Sequence, residues 1–128
     1  MLNPSTADAE LDDPTIRRCM GFARDWDYGG IRVCNLYAYR ATKPDDLKGV
    51  LDPVGPRNDS AILSAVADAG RIIAAWGAWP GPFEVRTHRV QDLLRGRHVE
   101  ALGLTKSGAP RHPLYMAKDA EPLTYWEP

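Results

Sequence analysis

The sequence predicts an α/β domain, a three-layer α/β/α sandwich around a short, mostly parallel sheet. Three observations lead there. The runs Ile31–Leu36 and Arg71–Trp76 are apolar and of strand length. Stretches with helical spacing of apolar residues alternate with such runs, which favours a parallel sheet covered on both faces. The chain has 128 residues, of which 44% are hydrophobic, enough for one core, and residues 1–128 are read as a single domain.

In order along the chain, Met1 and Leu2 read as the end of a strand, and Asn3-Pro4-Ser5 as the turn that leaves it. Asp13-Pro14 has the form of a helix cap followed by proline at the first helical position. Ile16, Cys19, Met20, Ala23 and Trp26 then recur with helical spacing, and Tyr28-Gly29-Gly30 ends that helix. Ile31–Leu36 is a short buried strand, and residues 37–57 are loop-rich. Asn58 is placed to cap a second helix that carries Ile62, Leu63, Val66 and Ala67. Arg71–Trp76 is the next strand, stopped by Gly77. Trp79-Pro80-Gly81-Pro82 turns into a third helix over Phe83–Leu94, with Val90, Leu93 and Leu94 inward. His98–Leu102 is a further short strand, and the loop Lys106–Pro110 delivers Arg111-His112-Pro113-Leu114.

Charge narrows the partners. The formal charge is −1, so no global field announces a nucleic acid or a membrane. The distribution is uneven: Asp8, Glu10, Asp12 and Asp13 are acidic, while Arg86, Arg89, Arg95, Arg97, Lys106, Arg111 and Lys118 make the last third basic. Such asymmetry permits a local anion site. Cys19 and Cys34 sit among apolar residues and read as core thiols; two cysteines cannot make a four-cysteine zinc or iron–sulfur site. His88 and His98 lack partners at ligand spacing, so neither a metal nor another cofactor is expected. Without a signal peptide or a long apolar run, a cytoplasmic protein with no membrane partner is expected. The oligomeric state stays open.

A parallel sheet gathers the carboxyl ends of its strands on one edge, where ligands bind in open α/β folds. Asn3, Asn35, Trp76-Gly77 and the loop holding His112 would meet there. Asn35 interrupts an apolar strand, and a buried amide left unpaired costs about 1–3 kcal/mol. Either a neighbouring loop satisfies it, or its donors and acceptor read a ligand such as the polar edge of a base. His112 follows a rigid Gly-Pro loop, which suits an imidazole positioned to donate to a developing anion; a solvated surface His is the plainer reading. Arg111 is either a phosphate contact or a solvated side chain. Ser5 and Thr6 lack the context of a nucleophile elbow.

Taken together, MLNPSTADAELDDPTIRRC, GGIRVCNLYAYRAT, DPVGPRND, AAWG and LGLTKSGAPRHPLY resemble domain of unknown function family 1643 of bacteria and phages over almost the whole chain. That resemblance implies a family without an assigned activity. Members usually carry residues ahead of the Leu-Asn-Pro-Ser segment, so a shortened first strand or a late start is expected here. A second resemblance is to the uracil-DNA glycosylase superfamily, which acts in DNA repair. LNPS is similar to its water-activating motif, VCNLYAYRAT to its base-reading strand, IIAAWG to its Trp-Gly strand end, and RHPLY to its His-Pro loop. This implies catalytic Asn3 and His112, with Pro4, Ser5, Asn35, Tyr37, Trp76, Gly77, Arg111 and Pro113 binding substrate. Leu114 and Tyr115 depart from the small residues expected after His-Pro, and the aromatic that would stack on a base is replaced by Tyr37 or Tyr39. The expected partners are a nucleobase, a nucleotide or single-stranded DNA. Three functions follow: N-glycosidic hydrolysis, a non-catalytic nucleotide or nucleic-acid binding module, or a protein-interaction adaptor with a decayed pocket.

Overall fold

A computed structural model describes residues 1–2, 13–39, 44–79 and 82–128. Its elements are α1 (Pro14–Asp25), a 3-10 turn (Pro44–Leu47), α2 (Asn58–Ala67), β1 (Ile73–Ala74), α3 (Pro82–Leu93), β2 (Val99–Ala101), a second 3-10 turn (Pro113–Tyr115) and β3 (Leu123–Trp126). Helices and strands are mixed, as the sequence implies for an α/β domain, but only α2-β1-α3-β2 alternate: α1 precedes α2 without a strand of the sheet between them, and β3 follows β2 without a helix longer than the second 3-10 turn.

The sheet is small and mixed rather than mostly parallel. Its order is β1-β2-β3. β1 and β2 run parallel, with Ile73 opposite Glu100 and Ala74 opposite Ala101. β3 runs antiparallel to β2, with an irregularity at Val99/Glu100. β3 escapes sequence reading because its half-buried residues, Tyr125 and Trp126, are neighbours. A strand read by alternation would bury every second residue instead.

The segment Ile31–Leu36 is not a strand of this sheet. Its hydrogen bonds go to the chain start. The Met1 α-amino group donates to the Cys34 carbonyl at 2.9 Å. The Leu36 N–H donates to the Met1 carbonyl and the Tyr37 N–H to the Leu2 carbonyl, both at 2.8 Å. The two Met1 bonds flank Asn35 in the manner of a parallel pair. Among the described residues, Met1 and Leu2 are its only backbone partners on that side. The expected strands Arg71–Trp76 and His98–Leu102 shorten to β1 and β2.

α1 begins as read: the Asp13 carboxylate accepts from the Thr15 N–H at 2.8 Å and the Ile16 N–H at 3.3 Å, and Pro14 opens the helix. It buries Phe22 and Ala23, while Met20 stays half exposed. Phe22 lies three residues after Cys19 and four before Trp26, on the inward face, and stacks on Trp26 with centroids 5.2 Å apart. The helix closes at Trp26, and the left-handed residue is Asp27 (φ 63°), not a glycine. In α2, Ile62 and Val66 are buried, whereas Leu63 and Ala67 face out. Arg57, not Asn58, occupies the cap position, with no side-chain capping bond. α3 buries Phe83 and Val90, with Leu94 buried just beyond its end and Leu93 only half-buried. One core joins Leu36, Tyr37, Leu47, Ile62, Val66, Trp76, Phe83, Val90, Leu94 and Val99, and Val99 has no exposed surface.

Candidate functional site

The end of segment 31–36 is clamped from two helices. The Asn58 side chain at the start of α2 donates to the Asn35 carbonyl at 2.8 Å and the Leu36 carbonyl at 3.0 Å. Arg86 of α3 donates from Nε to the same Leu36 carbonyl at 2.6 Å. Its Nη1 lies 2.6 Å from Asp59 Oδ1, and Arg89 Nε lies 3.4 Å from Asp59 Oδ2. Sequence reading missed Arg86 and Asp59 and misassigned Asn58. A signal existed for Arg86: it is three residues after Phe83 and four before Val90, so a charged residue stands on the inward helical face. With its carbonyl held, half-buried Asn35 keeps its side-chain amide unbonded among the described residues.

Tyr37 is a core residue. It is buried, its ring meets Phe83 edge-on at 5.8 Å, and burial pushes its phenol up from the ordinary value. Tyr39 is the exposed one of the pair. Trp76 is buried 6.1 Å from the Tyr125 ring. The Trp79 indole N–H donates to the Trp76 carbonyl. Gly77 then adopts a left-handed φ of 83°, which a side chain would resist, and its N–H donates to the Pro110 carbonyl at 2.7 Å. That bond ties the end of the β1 segment to the histidine loop.

The loop itself is built from local bonds. The Thr105 N–H donates to Ala109 and the Arg111 N–H to Gly103, both at 2.8 Å. Arg111 is exposed, but its Nε is held by the Leu104 carbonyl at 3.0 Å. His112 is half-buried and caps the second 3-10 turn, its Nδ1 accepting from the Leu114 N–H at 3.2 Å. Acceptance at Nδ1 leaves the neutral ring protonated at Nε2. Burial holds this imidazole below its ordinary value, the Met1 α-amino group pushes it further down, and Asp13 pulls the other way. His112 therefore sits in the electrostatic neighbourhood of the chain start. Pro113 is fully buried, while Leu114 and Tyr115 are exposed, so Leu114 is not a core residue.

A cavity of about 550 Å³ lies between segment 31–36 and the β1 segment, with α1, α2 and α3 contributing to its wall. Asn35, Trp76 and Pro113 line it; Tyr37, Gly77, Arg111 and His112 do not. Asn3, Pro4 and Ser5 lie outside the described residues. Cys19 and Cys34 are free, half-buried and on the cavity wall, and burial raises both thiols. His88 is exposed, and His98 sits 3.3 Å from Glu100 and 3.7 Å from Glu127. Among the described residues no group of His, Cys, Asp and Glu could hold a metal ion, and no helix is long and apolar enough to cross a membrane.

No curated protein and no solved structure matches the chain. A family model does, over residues 1–114, and the chain belongs to the family it describes, protein of unknown function (DUF1643).

Proposed function

We propose that the rim formed by Asn35, Trp76-Gly77 and Arg111-His112-Pro113, together with Asn3, recognises a nucleobase and hydrolyses its N-glycosidic bond. One observation carries the reading: the Leu114 N–H occupies Nδ1 of a half-buried, neutral His112, leaving Nε2–H as a fixed donor. Such a donor stabilises the oxyanion that develops on a departing base, an effect of about 10²–10³ in rate. The side-chain amide of Asn35, unbonded among the described residues and with its backbone clamped by Asn58, supplies a preorganised reader of the base edge. Asn3 holds the water, and Arg111 meets phosphate. The resemblance of LNPS, VCNLYAYRAT, IIAAWG and RHPLY to segments of the uracil-DNA glycosylase superfamily supports the same assignment, and with it a three-layer arrangement of that type. The base is flipped out of a strand, or comes from single-stranded or free nucleoside substrate.

The test is an oligonucleotide panel carrying uracil, hypoxanthine and alkylated bases, assayed for abasic sites. Cleavage of one lesion is expected, with His112→Ala lowering the chemical rate about 10²–10³-fold at nearly unchanged base affinity. An active chain whose His112→Ala variant keeps full activity overturns the role of the loop. A second reading, a non-catalytic nucleotide-binding module, draws on the unbonded Asn35 amide alone. It prevails if a nucleotide binds through Asn35 and no lesion is cleaved.

A further inference from the structure

α2 begins without a side chain closing its first turn. Arg57 holds the cap position and makes no capping bond. The Asn58 amide, the group best suited to cap, is spent on the Asn35 and Leu36 carbonyls. The Asp59 and Ser60 N–H groups have no acceptor among the described residues. A helix start of this kind carries partial positive charge and favours an anion. A buried cation points to the same place. The Arg86 side chain is only 5% exposed, and its Nη1 lies 2.6 Å from Asp59 Oδ1 in the first turn of α2. Its Nη2 has no hydrogen-bond partner, and Asp59 Oδ1, close as it is, completes no hydrogen bond either. A guanidinium removed from water is stabilised only when its donors are filled. Charge leans the same way. Arg86 and Arg89 share the single carboxylate of Asp59, and Arg57 stands exposed two residues before it.

We propose that the first turn of α2 and Arg86 form a binding site for a phosphate dianion, free or as a monoester, with Asp59 as the internal anion that holds its place. The proposal does not depend on the hydrolase reading. Asp59 is about one third exposed, so the cluster opens to water at this residue. In the free chain its carboxylate bridges Arg86 and Arg89. When phosphate arrives, the carboxylate moves toward Arg89, and the phosphate takes Nη1 and Nη2 of Arg86 as a bidentate pair. The Asp59 and Ser60 N–H groups supply two more donors. A dianion suits the site, because two guanidinium groups and a helix start outweigh one carboxylate. A phosphodiester has one charge and two esterified oxygens, and offers less to the same donors. The site lies one peptide unit from Asn35, since Asn58 holds the Asn35 carbonyl and shares the Leu36 carbonyl with Arg86.

The test is a nitrogen-15 NMR titration of the full chain with sodium phosphate at about pH 8, where the dianion predominates. Sodium chloride holds the ionic strength constant. Saturable shifts are expected at the Asp59 and Ser60 amides and at the Arg86 Nε–H. Asp59→Asn removes the competing charge and should tighten binding about fivefold or more. Arg86→Lys keeps the charge but loses the fork, and should weaken binding about tenfold or more. Arg89→Ala changes an exposed side chain, leaves Asp59 with Arg86 alone, and should weaken binding about threefold. A nucleoside 5′-monophosphate, the matching nucleoside and a single-stranded oligonucleotide identify the source. Tighter binding of the monophosphate than of inorganic phosphate, with a shift at the Asn35 side-chain amide, assigns the anion to a nucleotide; equal affinity assigns it to phosphate itself. Shifts that never saturate, or that chloride or the nucleoside reproduces, overturn the site. A folded Asp59→Asn chain that binds no more tightly overturns the role of Asp59, and an oligonucleotide that binds where both phosphates are silent overturns the dianion. Lesion cleavage enters none of these readouts, so this site and the hydrolase reading can each fail alone.

Discussion

The Met1 α-amino group should make the stability of this chain depend on pH near neutrality. Burial pushes it down from 8.0 to about 6, partly opposed by the Cys34 and Cys19 thiols. Between those values the unfolded chain binds the proton and the folded chain does not, so stability rises with pH from about 6 to about 8 and is lost on the way down. Each tenfold loss of proton affinity is worth about 1.4 kcal/mol, so the amine contributes about 3 kcal/mol across that window. Acetylating the amine removes the titration yet leaves an N–H to donate to the Cys34 carbonyl. Urea unfolding of free and acetylated chains at about pH 6 and pH 8 separates this group from every other, since all other titrations are shared. The free chain should gain most of the roughly 3 kcal/mol between the two pH values, and the acetylated chain little. Equal pH dependence in both refutes a desolvated amine beside segment 31–36.

His112 is also depressed by burial, so below about pH 6.5 the unfolded chain again binds the extra proton and stability falls with acidification; urea titrations of the acetylated His112→Gln chain should show a flatter acid limb. Asn58→Ala removes both donations to the Asn35 and Leu36 carbonyls and should cost about 1–3 kcal/mol, measured by the same unfolding midpoint, since Arg86 still holds Leu36. An unchanged midpoint means the clamp is dispensable. Leu47→Ala empties a fully buried position under a loop-borne 3-10 turn and should cost about 2–5 kcal/mol by calorimetry. A loss within error would show that the turn packs only loosely on the core.

Local chemistry was the readable part of the fold. Asp13-Pro14 signalled a helix start because both the carboxylate cap and the proline act within one turn. The apolar periodicity of α3 was legible for the same reason. What the sequence concealed was pairing. Ile31–Leu36 has strand composition, but a strand needs a neighbour, and among the described residues only Met1 and Leu2 provide one. β3 was hidden because its buried residues are adjacent, so its inward face shows no period. On the cavity wall, Asn35, Trp76 and Pro113 are residues that the sequence singles out, from the ends of apolar runs and the Gly-Pro loop. Asn58 misled because an amide at a helix start favours capping, whereas here it reaches 22 and 23 residues back to backbone carbonyls. The burial of Tyr37 was not legible, because a tyrosine after an apolar run suits stacking on a ligand as well as packing on Phe83.

The strand β3 begins nine residues past the end of the family match. Yet Tyr125 lies against Trp76, accepts a hydrogen bond from Gln91 at 3.2 Å, and packs with Trp126 against the core. The boundary of recognisable sequence therefore does not coincide with the boundary of the cooperative unit. A fragment cut at residue 114 would bare the whole outer edge of β2, whose Val99 and Ala101 are completely enclosed in the intact chain. Such an edge is a template for pairing between molecules. Two proteins alike over the matched residues 1–114 would therefore differ in solubility wherever only one of them closes this edge.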